Sequence, residues 1–140
     1  MSTAFLQSTL FRLYPNQSQE RLFRRTLGCC RFIYNFYLDF KLKEHKRYLD
    51  WIKSEVAPFS WKTRPTESEL KRSYTWLSNP DSTALQQSRI DLETAFQRFF
   101  NGHSHRPRFH RKGRKESFRC VLRVEVDRHA SSLRIGKKTC

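Results

Sequence analysis

Residues 16–48 read NQSQERLFRRTLGCCRFIYNFYLDFKLKEHKRY, and this stretch decides the fold. Asn16 opens it with Gln19 three residues on, the spacing at which two side chains satisfy backbone N–H groups at a helix start. Leu27, Cys30, Tyr34, Leu38 and Leu42 then recur at steps of three and four, one apolar stripe along a helix. The spacing predicts a helix from Gln17 to about Tyr48. Gly28 inside it costs about 1 kcal/mol relative to Ala, which predicts close packing against another backbone. Tyr34, Phe36 and Tyr37 read as core rather than as platforms for stacked bases.

Upstream, residues 4–14 (AFLQSTLFRLY) are rich in Phe, Leu and Thr and end at Pro15. They predict a strand, apolar on both faces as a buried strand is. Downstream, Pro58, Pro65 and Pro80 break residues 49–80 into short pieces that hold three tryptophans. Glu67 to Leu77 predicts a short helix. Trp51 and Trp76 read as core, with Trp61 the exception because it lies between prolines and bases. Asp81 or Ser82 caps the next helix, which stops near Asn101-Gly102 and buries Leu85, Leu92, Phe96 and Phe99. Ser117 to Val126 alternates, with Phe118, Cys120, Leu122, Val124 and Val126 on one face, and predicts a strand. A polar turn at Asp127–Ser132 leads to a second strand around Leu133-Arg134-Ile135. The expected fold is α+β: a small antiparallel, β-barrel-like sheet of the N-terminal strand plus a C-terminal hairpin, interrupted by a helical insertion. The β part covers 1–15 and 103–140, and the insertion covers 16–102.

Composition narrows the function. The 140 residues carry 28 Lys+Arg against 13 Asp+Glu, a net charge of +15. With 37% hydrophobic and 14% aromatic residues the chain is no disordered polyelectrolyte. Self-repulsion of that size is relieved by a polyanion, and nucleic acid is the first candidate partner. A membrane is a poor one, because no apolar run approaches the roughly 18 residues of a span. The opening MSTAFLQSTLFRLYP has no basic n-region, so it does not read as a signal peptide, and a cytoplasmic location is expected. Cys29, Cys30, Cys120 and Cys140 include no C-x-x-C pair, which excludes a zinc ribbon within this stretch and suits thiols that fill core space. His103-x-His105 is the one hint of a metal ligand and reads as solvated loop histidines. No catalytic or metal site and no cofactor are expected, and the oligomeric state is left open.

Charge is concentrated late in the chain. Residues 101–140 hold twelve basic and three acidic side chains, against nine and four in 1–50 and seven and six in 51–100. Within them HSHRPRFHRKGRKESFR (103–119) interleaves Arg106, Arg108, Arg111, Lys112, Arg114, Lys115 and Arg119 with Phe109, phosphate-binding cations beside a ring able to stack on a base. On the long helix Arg24, Arg25 and Arg31 are further candidates for phosphate contact. These eleven side chains form the predicted nucleic-acid surface, on what reads as a mobile loop.

The order Arg12-Leu-Tyr-Pro15, Asn16-Gln-Ser-Gln-Glu20, Gly28-Cys-Cys-Arg-Phe-Ile-Tyr-Asn35, Leu85-Gln-Gln, Asp91-Leu-Glu-Thr-Ala-Phe-Gln-Arg-Phe-Phe100, Pro107-Arg-Phe-His-Arg-Lys-Gly113 and Ser117-Phe-Arg119 resembles the N-terminal region of the TnpB (OrfB) proteins of insertion sequences. The resemblance implies part of a transposon-encoded, RNA-guided DNA endonuclease, with a wedge-type barrel interrupted by a helical recognition insertion. Guide RNA and target DNA are the implied partners. Family members continue into a nuclease domain with three acidic metal ligands and a zinc ribbon. The sequence stops at Gly136-Lys-Lys-Thr-Cys140, where that domain would begin, so no residue here is assigned to catalysis and an inactive binding module is expected. His110 stands where the family usually has Lys. The competing reading is a small stand-alone helix-turn-helix regulator of a mobile element, which a first helix of about 30 residues fits poorly.

Overall fold

The computed structural model describes residues 6–54, 57–121, 124–135 and 138–139. Its longest element, α1, runs Gln17–Ser54, about 57 Å at 1.5 Å per residue. Asn16 and Gln19 start it as expected: the Gln19 amide oxygen accepts from the Asn16 N–H at 2.8 Å, and Asn16 Oδ1 accepts from the Gln19 N–H at 2.9 Å. No proline interrupts it, and it runs six residues past the expected end at Tyr48. Beyond that point Tyr48 and Trp51 pack with Phe59 and Trp61 of the returning chain. Aromatic packing therefore extends a helix that its apolar stripe alone does not.

Glu67–Ser73 forms α2 and Thr75–Ser78 a separate 3-10 turn, where the sequence predicts one helix over 67–77. Thr66 and Glu69 cap α2 reciprocally. The chain leaves helical geometry at Tyr74, whose φ is −127° and ψ 83°. Helix α3 spans Ser82–Phe100, capped by Asp81 through the Thr83 N–H at 2.8 Å. It ends in a Schellman closure in which the Gly102 N–H donates to Phe99 and the His103 N–H to Arg98. Gly102 adopts φ 75°, the left-handed conformation that closure requires.

The core lies between α1 and α3, with α2 and the 3-10 turn closing its end. Ile33, Tyr37 and Leu38 of α1 meet Leu70, Leu77, Leu85 and Leu92, all nearly or wholly buried. Cys30 and Tyr34 are buried on the expected stripe, and Leu42 packs partly against it. Burial pushes the Cys30 thiol up to about 11, so it stays protonated and inert as a core filler. Three expectations about this region fail. Phe99 is 37% exposed in the last turn of α3, where its ring meets Phe100, and Trp76 is 43% exposed on the 3-10 turn. Nor does another backbone pack on Gly28, where an added Cβ would meet nothing nearer than the Arg31 guanidinium at 4.0 Å.

The sheet is smaller and more open than expected. Val124–Asp127 (β1) pairs antiparallel with Ser132–Ile135 (β2), Val124 opposite Ile135 and Val126 opposite Leu133. Lys138–Thr139 (β3) adds two residues to the far edge. The hairpin and its turn match the sequence reading, but the long strand over 117–126 does not form. Residues 117–121 are irregular, and Leu122 and Arg123 lie outside the described residues. The inward face of that alternation survives in Phe118 and Cys120, which pack on the core, while Val124 and Val126 stay half exposed, with no second layer over the sheet among the described residues. The predicted N-terminal strand is also corrected: residues 6–14 pair with no strand among the described residues, and Leu6, Leu10 and Tyr14 are almost fully exposed. Residues 4 and 5 fall outside the described residues. The segment runs beside the hairpin across a cleft of about 610 Å³ bordered by Phe11, Leu13, Leu133 and Ile135. The fold class is α+β, and the described strands do not close into a barrel.

If the α1–α3 seam carries the fold, Leu85→Ala should cost about 2–5 kcal/mol in urea unfolding. Leu10→Ser, on the exposed segment, should stay within about 0.5 kcal/mol of the native chain. Equal losses at both sites would refute this placement of the core.

Candidate nucleic-acid interface

Residues 103–121 leave α3 at the Gly102 turn and lie back across α1. The contact begins at two adjacent residues of that helix. The Tyr34 ring stacks on His110 at 3.7 Å between centroids and 11° between planes. The Asn35 amide grips the His110 backbone from both sides, accepting from its N–H at 2.8 Å and donating to its carbonyl at 3.0 Å. One side chain thus imitates a peptide neighbour and fixes the loop's position. Stacking removes solvent from the imidazole, which lowers the His110 pKa from its ordinary 6.5. His110 is therefore a packing residue that holds the loop against α1.

Beyond His110 the chain turns sharply. Gly113 has φ 74° and Lys115 φ 47°, and the Arg114 N–H donates to the Arg111 carbonyl at 3.4 Å. Three further contacts bring it back to the helices. Glu116 pairs closely with Arg31 on α1, each about a quarter exposed. Phe118 meets Phe23 at 6.1 Å between centroids, and Arg119 pairs with Asp91 on α3. The mobile loop expected from the sequence is held at four points.

These contacts divide the predicted surface. Arg31 and Arg119 brace the loop through Glu116 and Asp91. Arg24 pairs with Glu20 one turn away on α1, an exposed i,i+4 contact. Arg106, Arg108, Arg111, Lys112, Arg114 and Lys115 are all exposed, and none forms an ion pair among the described residues. Phe109, 49% exposed, sits beside them. Arg25 is exposed as well and lines a groove on α1 instead. The positioning residues Tyr34, Asn35, Asp91 and Glu116 are not among the predicted sites. An asparagine in mid-helix is the available signal, since its amide competes with helical backbone bonds unless it has a partner elsewhere.

Among the described residues no three His, Cys, Asp or Glu side chains gather as a metal site, and His103 and His105 lie exposed in the loop. No helix is long and apolar enough to cross a membrane among them.

Residues 1–49 match the helix-turn-helix domain of IS605-type OrfB proteins. Within the described part of that stretch, residues 17–49 form one unbroken helix with no turn. Over 135 residues the chain is 33% identical to InsQ of Escherichia coli K12, provisionally named an RNA-guided DNA endonuclease, covering 94% of this chain and 32% of InsQ. A Streptomyces pristinaespiralis protein with the same provisional name is 35% identical over 132 residues, 92% of this chain and 30% of that one. The virulence protein VsdF of Salmonella dublin is 30% identical over 99 residues, 69% of this chain and 83% of its own length. The chain thus spans about a third of the length of the first two relatives: it carries the helix-turn-helix domain of IS605-type OrfB proteins in its first 49 residues and is similar over nearly its whole length to InsQ.

Proposed function

We propose that this chain is the nucleic-acid-grasping part of an RNA-guided DNA endonuclease, holding guide RNA and target DNA without cutting either by itself. The observation that carries the reading is the braced loop. Six cations without an ion pair among the described residues stand on a backbone fixed by Asn35, Tyr34, Arg31 and Asp91. Pre-ordering the loop removes the entropy cost that a free one would meet on binding. Phosphate contact by cations so placed releases counterions and adds affinity independent of sequence. The reading also assigns residues 1–15 and 103–140 to one nucleic-acid-facing unit and 16–102 to a helical insertion, and it favours a cytoplasmic location. Phe109 offers its ring to an unpaired base.

Replacing Arg106, Arg108, Arg111, Lys112 and Arg114 by Gln, and Lys115 by Asn to suit its left-handed φ, should weaken RNA and DNA binding by several kcal/mol. The log–log salt slope should flatten by about 4–5, since each phosphate no longer neutralised removes roughly 0.7–0.9 from it. A control that neutralises Arg21, Lys43, Lys46, Lys53, Lys62 and Arg72 should change both far less. A larger effect from the control, or tighter binding to anionic vesicles than to RNA, would remove the loop from the interface.

Asn35→Ala should cost about 1–2 kcal/mol of stability, speed proteolysis at residues 111–115 and weaken binding with the six cations intact. The His110 contact is pH-dependent, with a sign that follows from its lowered pKa. The folded chain binds fewer protons at that ring than the unfolded one, so docking is strongest above pH 6.5 and weakens as pH falls through the unfolded value toward the folded one. NMR titration of the His110 ring should give a midpoint below 6.5, and Tyr34→Ala should raise it. Plasmid incubated with this chain, guide RNA and magnesium should remain uncut; reproducible nicking would show that the stretch carries catalytic groups of its own.

A further inference from the structure

We propose that the groove beside Gly28 seats one unpaired nucleotide, its base on Trp76 and its phosphate between Arg25 and Arg31. The groove, about 860 Å³, runs between α1 and the 3-10 turn, within the usual size range of small-molecule sites. Three observations converge on it, and they are independent of the loop cations.

The first is a fixed, exposed ring. Trp76 is 43% exposed, yet it is held in place. Its carbonyl accepts from Cys29 Sγ at 3.8 Å, and its ring meets Phe32 nearly edge to face at 4.9 Å and 73°. Tyr74 meets the same Phe32 at 5.0 Å and 65°. An aromatic surface kept rigid in this way stacks a base without losing rotamer freedom. The second is Gly28 itself. It sits inside α1, where glycine disfavours the helix, and no neighbour packs closely enough to require it. What its missing side chain does is leave the groove open. The third is charge. Arg25 is exposed and without an ion pair among the described residues, and Arg31 borders the same groove while pairing with Glu116. Asn79 adds a side-chain amide, donor and acceptor for a base edge.

A flat ring platform with two guanidinium groups beside it fits the chemistry of a single nucleotide. An anionic lipid has no planar ring, and a base within a duplex has both faces covered by its neighbours. The proposal rests on the nucleic-acid reading above and adds to it a subsite for unpaired residues, apart from the loop.

The test uses the full chain, a fluorescein-labelled single-stranded 12-mer and a duplex of the same length. Gly28→Leu fills the groove with a residue that favours helix, so α1 should keep or gain thermal stability. Gly28→Ala is the smaller step that guards against misfolding. Gly28→Leu and Trp76→Leu should each weaken single-strand binding about tenfold or more and leave duplex binding within about twofold, with Gly28→Ala between. With Trp51 and Trp61 replaced by Phe, Trp76 emission should be quenched by the single strand and not by the duplex. If Gly28→Leu leaves single-strand affinity unchanged, or weakens both ligands alike, the groove is not a nucleotide seat, though salt-sensitive binding would leave the loop reading standing. If the native chain binds neither ligand, both readings fall together.

Discussion

Packing of the α1 stripe against α3 is the constraint that the rest of the molecule depends on. A chain with 28 basic and 13 acidic residues resists compaction. Ile33, Tyr37 and Leu38 oppose that resistance by burying almost completely against Leu85, Leu92, Leu70 and Leu77. At about 1.5–3 kcal/mol for each fully buried large apolar side chain, a handful of such residues outweighs surface ion pairs worth about 0–1 kcal/mol each. The seam also sets the spacing of the two helices, and both loop braces depend on that spacing: Arg31 lies on one helix and Asp91 on the other.

The acids are deployed accordingly. Glu116 and Asp91 neutralise the arginines nearest the helices, the Glu116–Arg31 pair being the more buried, and the remaining loop cations face water. Glu67 and Glu93 do the same for Arg89 between α2 and α3, and Glu44 does so for Arg47 while accepting the Lys62 N–H. Several of the few acids sit at joints between elements: Glu116 and Asp91 at the loop, Glu67 between α2 and α3, and Glu44 where the Lys62 N–H returns to α1. The positive field is thereby kept off the seam and concentrated on the loop.

What could be read from the sequence follows the range of the forces involved. The Asn16–Gln19 box, the Asp81 cap, the Gly102 stop and the hairpin turn are local, and all stand where the residues indicate. So does the α1 stripe from Cys30 to Leu38. The strand over 4–14 fails because a strand is not a local object. Its Phe and Leu residues favour extended chain, but a ladder needs a partner edge, and none reaches residues 6–14 among the described residues. The alternation over 117–126 holds for Phe118 and Cys120, which pack on the core, but not for Val124 and Val126, and it is wrong about pairing for the same reason as the first strand: only the residues opposite β2 have anything to bond to. Within the candidate site, composition locates the basic loop, but its docking depends on Tyr34 and Asn35, 75 residues away from His110 for the asparagine, a separation that no pattern along the chain reports.

The contrast between braced and free arginines bears on what a helix-turn-helix label means here. A compact recognition helix reads a groove by presenting a few side chains from its own surface. In this chain residues 17–49 of that segment lie in one long helix, and several of its side chains are occupied in holding other parts. Tyr34 and Asn35 carry the loop, Arg31 carries Glu116, and Cys29 carries the backbone of Trp76. Helix α1 thus behaves as a beam on which two unlike surfaces are mounted, a cationic loop and an aromatic groove. They share one residue. Arg31 borders the groove while it braces the loop, so a phosphate that draws Arg31 away from Glu116 loosens one surface as it occupies the other. If the groove seats a phosphate as proposed, the shared guanidinium is the group through which the two surfaces would couple.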